Sequence, residues 1–424
     1  MVATALYLGD VPALYRQFAE LVGPHHWTKR VEQCHAEIAG NEHLRRHLES
    51  DNDVAFALVH LAKIVDRYGQ RAPVHHFEHA SLYPAITLMA QVLSLYHIHP
   101  PEEAARLVRR VHGAFKNPDD MRGLRLELTC AAHFTLRGYA ISWPEAGGDR
   151  NVTFDLLVED IGHSGLEVEC KAVSENKGRK LHQREAIEFQ SMLQPGLERM
   201  CQSGLQVGIS VVLTLAKRLP RAPKARQALA DNVISAVLSG AEHSVLQDGT
   251  HVRIRVFDPT VFTNVDFDNR VEVRKLIDSI SGTSNRESLL GFLHGGAFLS
   301  TVQSSESDEF KDAVLDTAKD AAKRQLTKAR AGFILISLEG LSPDQLRSIA
   351  TDERTGQLSK LHQIAQEFLG STNRAHVVGI GFTSRSGVGS RQPGIIDTGG
   401  AAYYFYNRAS PYWHADFEGL FANR

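Results

Sequence analysis

Over residues 1–118 the apolar positions recur at three- and four-residue intervals, as one face of an α-helix requires. The stretches 54–65 (VAFALVHLAKIV) and 85–93 (AITLMAQVL) show this most plainly, and Pro100-Pro101 opens a further helix over 102–115. Asn117-Pro118-Asp119-Asp120 is a turn signal and marks a boundary. A helix over 121–137 follows and stops at Gly138, a residue suited to a C-cap. The pattern then changes period. Strands are predicted over 139–143, 152–158 and 166–173, with a loop at 144–149. A helix over 180–201 precedes the nearly continuous apolar run 205–215 (LQVGISVVLTL), which reads as a buried strand.

Further along, helices are predicted over 223–238 and 305–329, and one starts at Ser342-Pro343-Asp344 with an N-cap and an early proline. The 305–329 helix carries Glu306, Asp308 and Glu309 early and Lys323, Arg324 and Lys328 late, in keeping with the helix dipole. Strands are predicted over 252–257, 332–338, 376–382 and 401–406, with a Gly/Ser/Arg loop at 383–394. No element is assigned over 259–304. The expected class is therefore α/β, in an α+β multidomain arrangement: a helical domain at 1–118, an αβββαβ core within 119–244 and an α/β extension at 245–424 of unassigned role.

Composition narrows the partners. A chain of 424 residues that is 43% apolar can build two or three ordinary cores. A formal net charge of −2 excludes a globally basic protein that coats nucleic acid, so any polyanion must be held by local patches. Cys34, Cys130, Cys170 and Cys201 lie far apart with no CxxC pair, and read as reduced thiols outside any disulfide or zinc framework. No basic-then-apolar leader and no apolar run of membrane-spanning length is present, so the expectation is a soluble, cytoplasmic protein with no membrane partner.

The candidate chemistry sits on the strand 166–173. At a two-residue period Glu167, Glu169 and Lys171 share one face, while Leu166, Val168 and Cys170 share the other. Asp155 lies inside another apolar run upstream, where a charge is equally out of place. Acids brought together from adjacent strands are hard oxygen donors suited to Mg²⁺ or Mn²⁺, and a neighbouring lysine can orient a water or a phosphate. Glu167, on the face of Glu169, is read as a solvated edge acid, with a supporting place behind the metal ligands as the alternative, and Cys170 as a small core residue.

Asp155, thirteen intervening residues and Glu169-Cys170-Lys171, in the element order above, resemble the PD-(D/E)xK nuclease superfamily with its restriction-endonuclease-like fold. The resemblance covers about 121–215, and it lacks the proline that names the motif, since Phe154 precedes Asp155. It implies a Mg²⁺- or Mn²⁺-dependent endonuclease acting on nucleic acid, DNA above RNA, with a bacterial defence or restriction role by analogy. It implies Asp155 and Glu169 as metal ligands, Glu127 on the preceding helix as a supporting acid and ligand, and Lys171 as the catalytic lysine. Lys180, Gln183 and Arg184 on the next helix, and Lys217, Arg218 and Arg221 in a segment free of acids between Glu198 and Asp231, are the expected nucleic-acid contacts. The rival reading is a catalytically silent nuclease fold acting as a nucleic-acid- or protein-binding module. A homodimer or a protein partner would engage the flanking domains.

Two other motifs carry less. His75 and His79 have a His-x-x-x-His spacing, but nothing supplies a third ligand. The segment 384–391 lacks the Gly-Lys-Ser/Thr ending of a P-loop.

Overall fold

The computed structural model describes residues 5–144, 154–174, 176–201, 207–267, 269–284, 287–293, 296–341, 343–351, 358–384, 387–392, 395–399 and 401–421. Residues 152 and 153 of the expected strand, and 145–149 of the expected loop, lie outside these. The chain opens with β1 (Ala5–Tyr7) and the helices α1 (Val11–Val22), α2 (His25–Gly40), α3 (Arg45–Asp51), α4 (Asp53–Tyr68), α5 (Tyr83–Ile98), α6 (Pro101–Ala114) and α7 (Pro118–Leu136). Strands β2 (Ile141–Ser142), β3 (Leu156–Val158) and β4 (Leu166–Val173) follow. Then come α8 (Gln183–Cys201), β5 (Gly208–Leu215), α9 (Pro223–Leu238), β6 (His243–Val245), β7 (His251–Phe257), α10 (Arg270–Ser281), β8 (Glu287–Leu293) and β9 (Gly296–Ser304). The last stretch holds α11 (Phe310–Arg324), β10 (Ala331–Leu338), α12 (Pro343–Thr351), α13 (Lys360–Leu369), β11 (Val377–Ser384), β12 (Gly387–Gln392), β13 (Ile395–Gly399) and β14 (Ala402–Tyr406).

The chain folds as two units whose boundaries differ from the expected division. The first comprises 1–35, 49–177 and 310–424; the second comprises 36–48 and 178–309. In the first, a six-stranded sheet runs β14-β11-β10-β4-β3-β2. Strand β10 pairs parallel with both β4 and β11, and the outer pairings are antiparallel. A parallel centre must be covered on both faces, and it is. Leu166, Val168, Cys170, Phe333 and Leu335 enter one core with residues of α1, α4, α5, α6 and α7. Val173, Ile334, Ile336 and Leu338 enter another with α11, α12 and α13. The expected helical domain is thus no separate body: most of its helices form one layer of a three-layer unit, and 36–48 belongs to the second unit. Helix α5 is buried almost all round, from Ala85 to Leu95, which is how a central packing helix reads in sequence.

The second correction concerns the expected core. Helix α8 and strand β5 do not complete the sheet of β2–β4. Strand β5 sits in a five-stranded sheet, β6-β7-β5-β9-β8, within the second unit, and packs with α8 and α9. The place beside β4 is taken by β10, in register from Ala331 opposite Leu166 to Leu338 opposite Val173. Residues 178–309 of the second unit are an insertion between β4 and α11. An apolar run announces a buried strand but does not say which sheet it joins. Two further differences are local. The expected loop 383–394 contains the end of β11 and strand β12, which pairs with β13, and β13 in turn pairs with β1. The unassigned span 259–304 contains α10, β8 and β9.

Among the described residues, no helix is long and apolar enough to cross a membrane.

Candidate active site

The site is built by one hairpin and one helix. Strands β3 and β4 pair antiparallel with Leu156 opposite Val168, Leu157 opposite Glu167 and Val158 opposite Leu166. Asp155 stands one residue before that ladder, and its carboxylate reaches across to the Cys170 N–H of β4. The turn that fixes the register needs a glycine: Gly165 has φ +82, and a Cβ there would stand 2.8 Å from the Val158 carbonyl oxygen. The thirteen-residue interval between the two acids is therefore a hairpin length. Helix α7 starts on the Asn117 cap, whose side chain accepts from the Asp119 N–H, and packs on β4 with Glu127 among its buried residues.

Four sequence-predicted residues stand together here. Asp155 is buried, and its Oδ2 accepts a hydrogen bond of 2.8 Å from the Cys170 N–H. Glu169 is wholly buried, and the Lys171 ammonium lies 2.6 Å from its Oε1. Among the described residues, neither Glu169 oxygen has a hydrogen bond of good geometry. Glu127 is buried on α7 and interacts electrostatically with Glu169. A fifth residue, which the sequence did not reveal, completes the cluster. Arg110 of α6 hydrogen-bonds the Glu127 carboxylate, and its guanidinium lies 3.8 Å from Asp155 Oδ1. Its position in sequence, on an amphipathic helix beside Arg109, looks like an ordinary solvated face.

Among the described residues, three carboxylates here meet the two cations Arg110 and Lys171. The electrostatics follow from that count. Burial, then the Asp155 charge, pushes the Glu169 carboxyl up from 4.5 to about 9, with Glu127 adding and Lys171 opposing. Asp155 is also raised by burial, against the Cys170 N–H and the charges of Lys171 and Arg110. Burial pulls Lys171 down, but Glu169 and Asp155 outweigh it and hold the ammonium above its usual value. At neutral pH Glu169 keeps a proton unless another cation takes its place.

A divalent cation suits such a gathering of carboxylates. Asp155 and Glu169 are the pair that could hold it, since Mg²⁺ is commonly bound by one or two carboxylates with waters and substrate oxygens filling its shell. Among the described residues, no three His, Cys, Asp or Glu side chains are disposed to ligate one metal ion, in keeping with Glu127 being engaged by Arg110. Chemically, the arrangement offers two acids, a charged lysine whose side chain is 29% exposed, and a low-dielectric floor.

The remaining expected residues belong to the second unit. Lys180 is neutralised by Glu309 at 2.9 Å and Glu306 at 3.5 Å. Gln183 opens α8, half-buried, and Arg184 pairs with Glu37 at 2.6 Å and Glu188 at 2.9 Å. These two arginine and lysine side chains serve their own unit's ion pairs. Lys217, Arg218 and Arg221 are exposed between β5 and α9, with no side-chain hydrogen bond or ion pair among the described residues. Glu167 departs from the solvated reading. It is fully buried, and accepts from the Thr327 N–H at 2.8 Å and from its hydroxyl, with Arg330 Nε at 3.4 Å. Cys170 packs on Cys130 of α7, and their contact, with burial, raises its thiol. His76 stacks on Tyr68 with His75 tilted against it, and His79 bonds the Ser81 hydroxyl at 2.6 Å.

No protein-family model matches this chain, and comparison with curated proteins and with solved structures gives no match.

Proposed function

We propose that the chain is a metal-dependent phosphodiesterase acting on nucleic acid, DNA in the first place, built on a restriction-endonuclease-like core that an inserted unit interrupts. In this reading the αβββαβ order is α7, β2, β3, β4, α11 and β10, with residues 178–309 inserted between the third strand and the second helix. The observation that carries it is the Asp155 carboxylate bonded to the Cys170 N–H, next to Glu169, with the Lys171 ammonium 2.6 Å from Glu169 on the same strand.

Asp155 and Glu169 would hold Mg²⁺ or Mn²⁺, with Glu127 supporting them from α7. The bound ion supplies neutralisation of charge on the phosphate and acidification of a coordinated water. Lys171 keeps its proton, and its ammonium orients the attacking water or the scissile phosphate oxygen. Burial of Glu169 makes each of these charges act at low dielectric, where positioning counts most. The exposed Lys217, Arg218 and Arg221 would take backbone phosphates as point charges and forks. Cleavage of plasmid and linear DNA with Mg²⁺ or Mn²⁺ by wild type, Asp155→Asn and Lys171→Ala tests the reading.

A further inference from the structure

We infer that Arg110 is the resident counter-ion of the acidic centre, a positioning residue that competes with a divalent cation for Glu127 and Asp155. This rests on the metal-dependent reading above. The Arg110 side chain comes from α6, a different helix from the one that bears Glu127, and it spans both acids: it bonds Glu127 and stands 3.8 Å from Asp155 Oδ1. Its backbone is anchored, because Leu107 and Val111 of α6 are buried in the core. The guanidinium end is not. The Arg110 side chain is 30% exposed, against 10% for Glu127 and 11% for Asp155, so the cation can swing outward while the carboxylates stay in place.

A guanidinium stays protonated, so it cannot yield by losing its charge; it can yield only by moving. Any divalent ion approaching the same oxygens meets a like charge within a few ångströms, in surroundings that screen it poorly. Arg110 therefore sets how tightly the centre takes its ion, and offsets the charge of Glu127 and Asp155 in their buried setting. Lys171 cannot do this, since its ammonium is engaged with Glu169.

The test is a calorimetric titration of the intact chain with Mn²⁺, without nucleic acid, on wild type, Arg110→Gln, Arg110→Lys and Glu169→Gln. The expected result is binding about tenfold tighter in Arg110→Gln, because removing one neighbouring positive charge is worth at least that much at this range. Arg110→Lys, whose shorter ammonium keeps Glu127 and withdraws from Asp155, should fall between the two. If Arg110→Gln does not fold, tighter binding in Arg110→Lys alone carries the inference. Wild-type binding that is abolished by Glu169→Gln, yet equal or stronger than that of both Arg110 variants, overturns the inference and leaves the metal-dependent reading standing. Absence of Mn²⁺ binding in all four, or binding indifferent to Glu169→Gln, overturns both.

Discussion

Asp155 Oδ2 accepts the backbone N–H of Cys170 at 2.8 Å, so the acid that precedes β3 is tied to the strand that bears Glu169 and Lys171. A ladder bond is replaced by a side chain, and the side chain belongs to the site. Asp155→Ala leaves a buried N–H without a partner and should lower stability by about 1–3 kcal/mol. Asp155→Asn keeps an acceptor and should melt close to wild type. Both should abolish catalysis. Denaturant unfolding beside a cleavage assay separates the two variants: equal stability losses would mean that the bond to Cys170 does not support the hairpin.

Glu169 gives a pH dependence with a definite sign. Its carboxyl is raised from 4.5 to about 9, so without metal the folded chain binds a proton more tightly than the unfolded chain does. Between those values the folded state holds more protons, and stability falls as pH rises. The metal-free melting temperature should therefore decline from about pH 5 to pH 9, and Glu169→Gln should flatten the slope and stabilise the chain at pH 8 by about 1–3 kcal/mol. Added Mn²⁺ should reverse the order, since the ion binds the ionised carboxylate and only wild type has one to offer. A wild-type curve rising across that range would contradict the assignment.

The inserted unit should contribute affinity without contributing chemistry. Replacing Lys217, Arg218 and Arg221 together by alanine leaves both cores intact, because all three are exposed. Binding of duplex DNA should weaken uniformly across sequences, and the salt dependence of log K should fall by about 0.9 for each phosphate no longer neutralised. Unchanged affinity and slope would remove this surface from the account.

Glu167 should behave as a structural acid despite sharing the face of Glu169. Its carboxylate ties the start of β4 to Thr327 and Arg330, ahead of β10. Glu167→Ala should cost about 1–3 kcal/mol of stability, with cleavage per folded molecule within a few-fold of wild type. Loss of turnover in a stably folded variant would place Glu167 in the catalytic machinery instead.

The elements of the site were legible because each has a local signature. Asp155 and Glu169 are charges in apolar strand-like runs, Lys171 follows at the strand period, and Glu127 lies in a helix bounded by a cap at Asn117 and a glycine at 138. What pairs with what was not local. The run 205–215 and the run 332–338 are both buried strands in sequence, and only long-range packing decides that β10, not β5, lies beside β4. The solvated reading of Glu167 failed for the same reason, since its partners Thr327 and Arg330 are some 160 residues away. Arg110 escaped notice because an ion pair between two helices leaves no periodic mark on either.

In the proposed reading Asp155, Glu169 and Lys171 form one metal-dependent hydrolytic centre. The most direct measurement is single-turnover cleavage of a DNA duplex by purified chain, with Mg²⁺ or Mn²⁺ and with chelator, for wild type, Asp155→Asn and Lys171→Ala. The account predicts cutting by wild type only with metal, and a loss of about 10²-fold or more in each variant, with folding retained by circular dichroism. Cutting that survives in both variants, or that persists in chelator, would contradict it.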